Sequence, residues 1–272
     1  MTDAECVAFL QWALPRLRLR WPGFRKVRRQ VCRRIRRRLD ALGLADVDAY
    51  RAYLEATPAE WERLDGLCRV TISRFARDRT VFELLRATVL PELARGARAR
   101  GRALEAWSAG CGSGEEPYTL ALVWLLGVGA PAEGIRLHVL ATDVDEALLA
   151  RARAAEYAGS SLRELPAEWR RAAFIDRDGT FRLRERFRRP VELRRHDLRH
   201  PPPAAPFDLV LCRNVAFTYF DAGLQRETAA RLASCTRSGG ALVLGAHERL
   251  PEDGHGFVPW SDGARVYRRS GA

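Results

Sequence analysis

The residues best placed to do chemistry lie in the run Trp107-Ser-Ala-Gly-Cys-Gly-Ser-Gly-Glu-Glu-Pro-Tyr118. Gly110, Gly112 and Gly114 alternate after a short apolar run and before a helical pattern. Open α/β sheets hold ligands at the carboxyl ends of their strands, and glycines let a backbone come close to a ligand. A dinucleotide would rest its pyrophosphate on the free amides of the helix start. Here Glu115 and Glu116 occupy that first turn, and two carboxylates repel a pyrophosphate. They suit a cofactor that presents an ammonium group and a sulfonium and has no phosphate. S-adenosylmethionine has these properties. Asp143 ends the next apolar run, where a carboxylate can accept from both ribose hydroxyls. The competing reading is that the two glutamates only satisfy helix amides.

These residues need a scaffold, and the hydrophobic pattern supplies one. After Gly101, apolar runs at 103–108, 135–142, 207–212 and 241–245 alternate with helical patterns at 115–126, 145–155 and 222–235. Strands alternating with helices imply a parallel sheet. Runs at 180–186 and 191–195, after the Asp178-Gly179 turn, interrupt the alternation and predict a small antiparallel insertion over about 174–195, its second strand rejoining the main sheet. Residues 256–260 and 265–268 read as a closing hairpin. Upstream the pattern is helical. Val27, Val31, Ile35, Leu39 and Leu42 recur at three and four with Gly43 as the stop. Thr57-Pro-Ala-Glu60 reads as a capping box. The expected organisation is a helical domain over 1–70, a linker and connecting helix over 71–100, and a cofactor-binding domain over 101–272.

Charge is unevenly placed. Residues 16–38 hold eleven arginines and Lys26 without an acid, which accounts for the whole net charge of +12. Arginine in place of lysine can reflect codon bias; the confinement to one segment cannot. Six cysteines and five histidines show no ligand spacing, so the sequence points to no metal and no disulfide framework. The longest apolar stretch is too short to span a membrane, and Asp3 and Glu5 are the wrong charge for a secretory signal, which predicts a cytoplasmic protein without membrane insertion.

Four runs together resemble the CheR family of chemoreceptor glutamate methyltransferases: Gly-Ser-Gly-Glu-Glu-Pro-Tyr (112–118), Ala-Thr-Asp-Val-Asp (141–145), Phe-Asp-Leu-Val-Leu-Cys-Arg-Asn-Val (207–215) and Tyr-Phe-Asp (219–221). Arg38-Leu-Asp-Ala-Leu-Gly43 resembles the family's helical domain, residues 70–78 its linker, and Gly245-Ala-His-Glu248 its late strand end. The resemblance implies a Rossmann-like class I methyltransferase domain with a mostly parallel seven-stranded sheet, a small antiparallel β insertion and an N-terminal all-helical domain. It implies S-adenosylmethionine as cofactor, S-adenosylhomocysteine as product, and a glutamate side chain of a chemoreceptor-like protein as acceptor. By the same resemblance Thr71, Ser73 and Arg77 contact the methionine portion, Gly110 and Gly112 form the loop, Glu115 holds the ammonium and Asp143 the ribose. Asp197 and Leu198 lie near the adenine, Arg213 and Asn214 beside the cofactor, and Tyr219 faces the methyl group. Arg77, Arg213 and Tyr219 are the expected catalytic residues.

The chain departs from the family pattern at Thr71 and Ala76, at Asp197, and by one extra residue between Asn214 and Tyr219, which predicts a bulged loop at Phe217-Thr218. The acceptor side therefore keeps an alternative, another protein or a small carboxylic acid. A nucleic-acid-binding protein using the arginine segment is the weaker reading, since only Trp21 and Phe24 interleave with the arginines. The expected partner is an acidic helical protein, such as a chemoreceptor cytoplasmic domain, docking on 16–38. A glutamate acceptor is already ionised at neutral pH and needs no general base.

Overall fold

The computed structural model describes residues 2–204, 206–261, 263 and 265–271. They form two compact units. One runs to Ile72 and includes Thr218–Gln225; the other covers Ser73–Phe217 and resumes at Arg226.

The first unit is helical. Its opening helix, Asp3–Ala13, begins with a reciprocal cap: the Glu5 amide donates to the Thr2 hydroxyl (3.2 Å), and the Thr2 amide to the Glu5 carboxylate (2.7 Å). Helix Arg28–Leu42 buries Val31, Ile35 and Leu39 in one stripe and stops at Gly43, whose φ of 68° is the left-handed geometry the stop requires. Asp46 caps helix Val47–Ala56 with two accepted amides. Helix Pro58–Cys68 starts at the expected proline, but Thr57 makes no side-chain cap and the expected box is not formed. Glu60 is instead buried, accepting from Arg38 Nε (2.9 Å) and Nη2 (2.6 Å) and from the Tyr50 hydroxyl (2.8 Å). A guanidinium is a stronger partner than a solvated amide. It holds the Glu60 carboxyl below its ordinary range, while burial pushes the Tyr50 phenol up.

Cys6 and Cys32 form a disulfide, with Cα atoms 5.9 Å apart. This corrects the expectation of no disulfide. The two residues sit on different helices, 26 positions apart, and only helix packing brings them together. In the same unit Tyr219 accepts at its carbonyl from the Arg20 amide (2.8 Å), and its ring lies 5.1 Å from Phe24. Ala216–Tyr219 is a short helix, so the extra residue is taken up in a helical turn.

The second unit is built on ten strands: β1 (Leu104–Ala109), β2 (Leu137–Asp143), β3 (Glu156–Ala158), β4 (Phe174–Arg177), β5 (Thr180–Leu183), β6 (Val191–Arg195), β7 (Phe207–Cys212), β8 (Thr236–Leu244), β9 (Phe257–Pro259) and β10 (Val266–Arg269). Seven make one sheet in the order β6-β2-β1-β7-β8-β10-β9. The first five in that order are parallel to their neighbours; β10 joins β8 and β9 antiparallel as the closing hairpin. The insertion is a separate antiparallel sheet, β3-β5-β4, while β6 is an edge of the main sheet. All six residues of β7 are buried, as a central parallel strand demands. Helix Arg79–Leu84 and helix Leu90–Ala99 are joined through a π turn, Leu85–Val89, just before Pro91, which cannot continue the ordinary ladder. Val81, Leu85, Leu93 and Trp124 pack with Leu104, Val139, Leu209 and Val243 into one core. The parallel strands all point their carboxyl ends to one edge, and that edge carries the glycine loop.

Candidate active site

The loop between β1 and helix Glu115–Leu122 is fixed from β2. Gly110 and Cys111 both donate their amides to the Thr142 carbonyl (2.8 Å each), and Trp107 Nε1 donates to the Thr142 hydroxyl (2.9 Å). Gly110, Gly112 and Gly114 have φ of 82°, 57° and 92°. A Cβ at Gly110 would lie 2.7 Å from Val215, so this position is closed to side chains twice over. Burial pushes the thiols of Cys111 and Cys212 well above their ordinary range, and neither offers a thiolate.

Asp143 sits at the end of β2. One carboxylate oxygen accepts from the Gly112 amide (2.9 Å), the other from the Asp145 amide (3.0 Å). Each oxygen keeps a further lone pair, the number two ribose hydroxyls need. Burial raises the Asp143 pKa, and those amides oppose the rise. Glu115 is buried and accepts from Ser113 Oγ (2.9 Å) and Ser161 Oγ (3.4 Å). Among the described residues it has no cationic partner, so an ammonium group suits it. Together these features fit S-adenosylmethionine.

Glu116 behaves differently from its neighbour. Its carboxylate accepts from Ser108 Oγ (2.7 Å) and Arg213 Nη1 (3.0 Å), not from helix amides. The Arg213 side chain is only 2% exposed; its Nη2 donates to Asp78 Oδ2 (2.8 Å) and to the Arg77 carbonyl (2.7 Å), and its guanidinium lies over the Phe82 ring. Burial raises the Glu116 pKa, and Arg213 counteracts it. The linker enters this network under strain: Ala76 and Asp78, on either side of Arg77, have φ of 53° and 62°. Such conformations cost about 1–3 kcal/mol each and persist where the surroundings enforce them. The Ala76 amide donates to Thr119 Oγ1 (3.0 Å), and buried Phe75 packs edge-on against Tyr157 and Phe174.

Asn214 has φ of 58°, and its amide donates to Glu248 Oε2 (2.6 Å), which also accepts from the Gly245 amide (2.8 Å). Glu248 thereby ties the ends of β7 and β8. Asp197 forms a two-point ion pair with Arg199 (3.0 and 2.7 Å); Leu198 is buried; Ser73 is half-buried. Ser73, Arg77, Gly110, Gly112, Glu115, Asp143, Asp197, Leu198, Arg213 and Asn214 all belong to this unit, whereas Thr71 and Tyr219 belong to the helical unit. Sequence reasoning left out Glu248, Asp78 and the partnership of Glu116. A buried strand ending in arginine required an acid beside it, and that signal was present.

Two family models match. The model described as CheR methyltransferase, SAM binding domain covers residues 71–261, and the one described as CheR methyltransferase, all-alpha domain covers 26–64. The chain belongs to the CheR methyltransferase family. It is an S-adenosylmethionine-dependent methyltransferase with a Rossmann-like domain. The chemotaxis protein methyltransferase of Listeria innocua is 36% identical over 185 residues, 68% of each chain. That of Salmonella typhimurium is 32% identical over 232 residues, 82% of this chain and 76% of the relative. Among the described residues of this methyltransferase, no group of three or more His, Cys, Asp or Glu side chains could hold a metal ion, and no helix is long and apolar enough to cross a membrane.

Proposed function

We propose that this methyltransferase transfers the methyl group of S-adenosylmethionine to glutamate carboxylates of a chemoreceptor-like protein. The cofactor supplies an electrophilic methyl carbon on a sulfonium. The observation that carries the reading is the acidic edge formed by Asp143 and Glu115, which receives a cationic donor and repels phosphates. Asp143 holds the ribose and Glu115 the ammonium group; Gly110 and Gly112 keep the backbone close; Asp197 and Leu198 border the adenine, with Asn214 alongside. Thr71 and Ser73 contact the methionine portion.

On the acceptor side, an ionised carboxylate attacks without a base, so the protein must align it and exclude water. Arg213 acts by position: with both terminal nitrogens engaged, it anchors the Arg77 carbonyl and fixes the strained linker. Arg77 then steers the carboxylate, and Tyr219 orients it by hydrogen bonding. The basic segment supplies docking. Arg28 pairs with Asp3, Arg16, Arg20 and Arg34 donate to main-chain carbonyls and Arg38 serves Glu60, while Arg25, Lys26, Arg29, Arg33 and Arg37 are among the exposed cations offered to an acidic helix. Such a face steers encounter and weakens with salt.

The test is transfer of a labelled methyl group to a receptor cytoplasmic fragment. A base-labile label that is lost as methanol supports a carboxyl ester; a base-stable label overturns it. Thr71 and Ala76 favour a second reading, another protein or a small acid as acceptor, which labelling of a whole lysate would reveal as label outside the receptors.

A further inference from the structure

At the opposite edge of the sheet, where β1, β2, β7 and β8 begin, two adjoining cavities of about 480 and 450 Å³ share Arg102 as a common wall. The first lies between the end of helix Leu90–Ala99 and the loops entering β1 and β2, lined by Arg98, Arg136 and Glu133 among others. The second lies between the same helix, the start of β7 and β10, lined by Arg100, Arg237, Arg268, Glu92 and Asp208. Six guanidinium groups thus face three carboxylates.

The pairing is incomplete in a particular way. Arg102 makes a two-point bond to Asp208, and Arg268 makes one to Glu92. Asp208 also accepts the Glu105 amide (3.0 Å), and Arg237 only approaches it, at 3.6 Å. Arg98 reaches main-chain carbonyls of Ala130 and Glu133, and Arg100 reaches the Gly96 carbonyl. The Arg136 carbonyl accepts the Leu104 amide (2.9 Å), and its side chain has no hydrogen bond or ion pair among the described residues. Three guanidinium groups therefore line these cavities without a carboxylate. The wall opposite is an excursion of β8: Thr236 pairs with Phe207 and Ala241 with Leu209, so the residues between loop out. A Cβ at Gly240 would lie 2.8 Å from the Arg237 carbonyl and 2.9 Å from that of Asp208, which keeps this wall compact.

We infer that this edge binds a polyphosphate chain, spanning the two cavities across Arg102. Planar guanidinium groups bind phosphate oxygens in pairs. No aromatic side chain lines either cavity, so recognition rests on the phosphates and not on a base. Inorganic polyphosphate and the phosphate chain of a nucleoside triphosphate share this chemistry. The donor site lies at the other ends of the same strands, so the two sites are separate and the inference does not depend on the acceptor.

The experiment is calorimetry on the full chain with its donor site saturated by S-adenosylhomocysteine, at about 50 mM salt, where charged contacts are weakly screened, with tripolyphosphate, ATP and adenosine, all without divalent metal. Saturable binding of tripolyphosphate and ATP, and none of adenosine, is expected. A variant carrying R98Q, R100Q and R136Q, all exposed positions, should bind tripolyphosphate at least tenfold more weakly while its S-adenosylmethionine affinity is unchanged. A control carrying R29Q, R33Q and R37Q should bind as the parent does. ATP and tripolyphosphate of similar affinity assign the phosphate chain as ligand; ATP at least tenfold tighter shows that a base is read and overturns recognition by phosphate alone. The inference is overturned if tripolyphosphate does not bind, if the first variant binds it unchanged, or if the control loses as much.

Discussion

Arg213→Met tests the network beneath the donor site most directly. The methionine fills part of the space but leaves the Glu116 carboxylate, 13% exposed, without its cation. Removing one partner of a buried ion pair costs about 3–5 kcal/mol because the other charge stays desolvated. Asp78, 23% exposed, can rehydrate and adds little. The pH dependence gives the claim a sign. Glu116 already titrates above its ordinary range because of burial. A carboxyl raised in the folded state favours folding below its unfolded pKa, and that advantage is lost as pH rises through the folded pKa. Without Arg213 the folded pKa rises further. The deficit of the variant should therefore be larger at pH 8 than at pH 5, and Glu116→Gln in the same chain should recover about 2 kcal/mol or more. Urea unfolding followed by tryptophan fluorescence reads both quantities. A deficit that is the same at both pH values and is not recovered by Glu116→Gln would refute the reasoning.

Three further outcomes follow from other parts of the molecule. Asp143→Asn should weaken S-adenosylmethionine binding by roughly ten- to a hundredfold, the worth of a hydrogen bond to a charged acceptor, as read by calorimetry; unchanged affinity would remove Asp143 from the donor site. Reduction of the Cys6–Cys32 bond opens a loop with 26 residues of separation, and chain entropy puts its stabilisation at about 3.5 kcal/mol; a thiol count of six in the unfolded, unreduced chain would show that the bond is not made. Gly245→Ala would set a methyl 2.7 Å from Asn214 Oδ1 and 2.8 Å from Glu248 Oε2. It should cost about 1–3 kcal/mol in thermal or urea unfolding, and a loss under 0.5 kcal/mol would show that Glu248 moves freely.

The sequence carried the parts of this molecule that depend on local pattern. The alternation of apolar runs with helical ones marks the parallel strands because a strand buried on both faces must be apolar throughout, as β7 is. Gly43 marks a helix end because few residues adopt its left-handed geometry. Local pattern also misleads where a residue has a better partner far away. Thr57 and Glu60 have the right spacing for a cap, but Arg38 and Tyr50 claim Glu60. The same limit hid the Cys6–Cys32 bond and the fastening of Asn214 by Glu248. Strand β3 is hidden because Glu156–Ala158 follows directly on a helical pattern and pairs only with distant β5.

The register of the main sheet also sets an order of assembly. β1 and β2 are near in sequence, as are β7 and β8, yet the seam between β1 and β7 joins stretches whose anchors, Arg102 and Asp208, are 106 residues apart. Closing so long a loop costs roughly 4 kcal/mol of chain entropy before any contact rewards it. During synthesis the glycine loop and Asp143 can therefore take shape on a half-sheet whose inner edge stays open until β7 leaves the ribosome. An open apolar edge invites pairing with other chains, so the nascent polypeptide is most in need of a chaperone in the interval before Arg213 arrives.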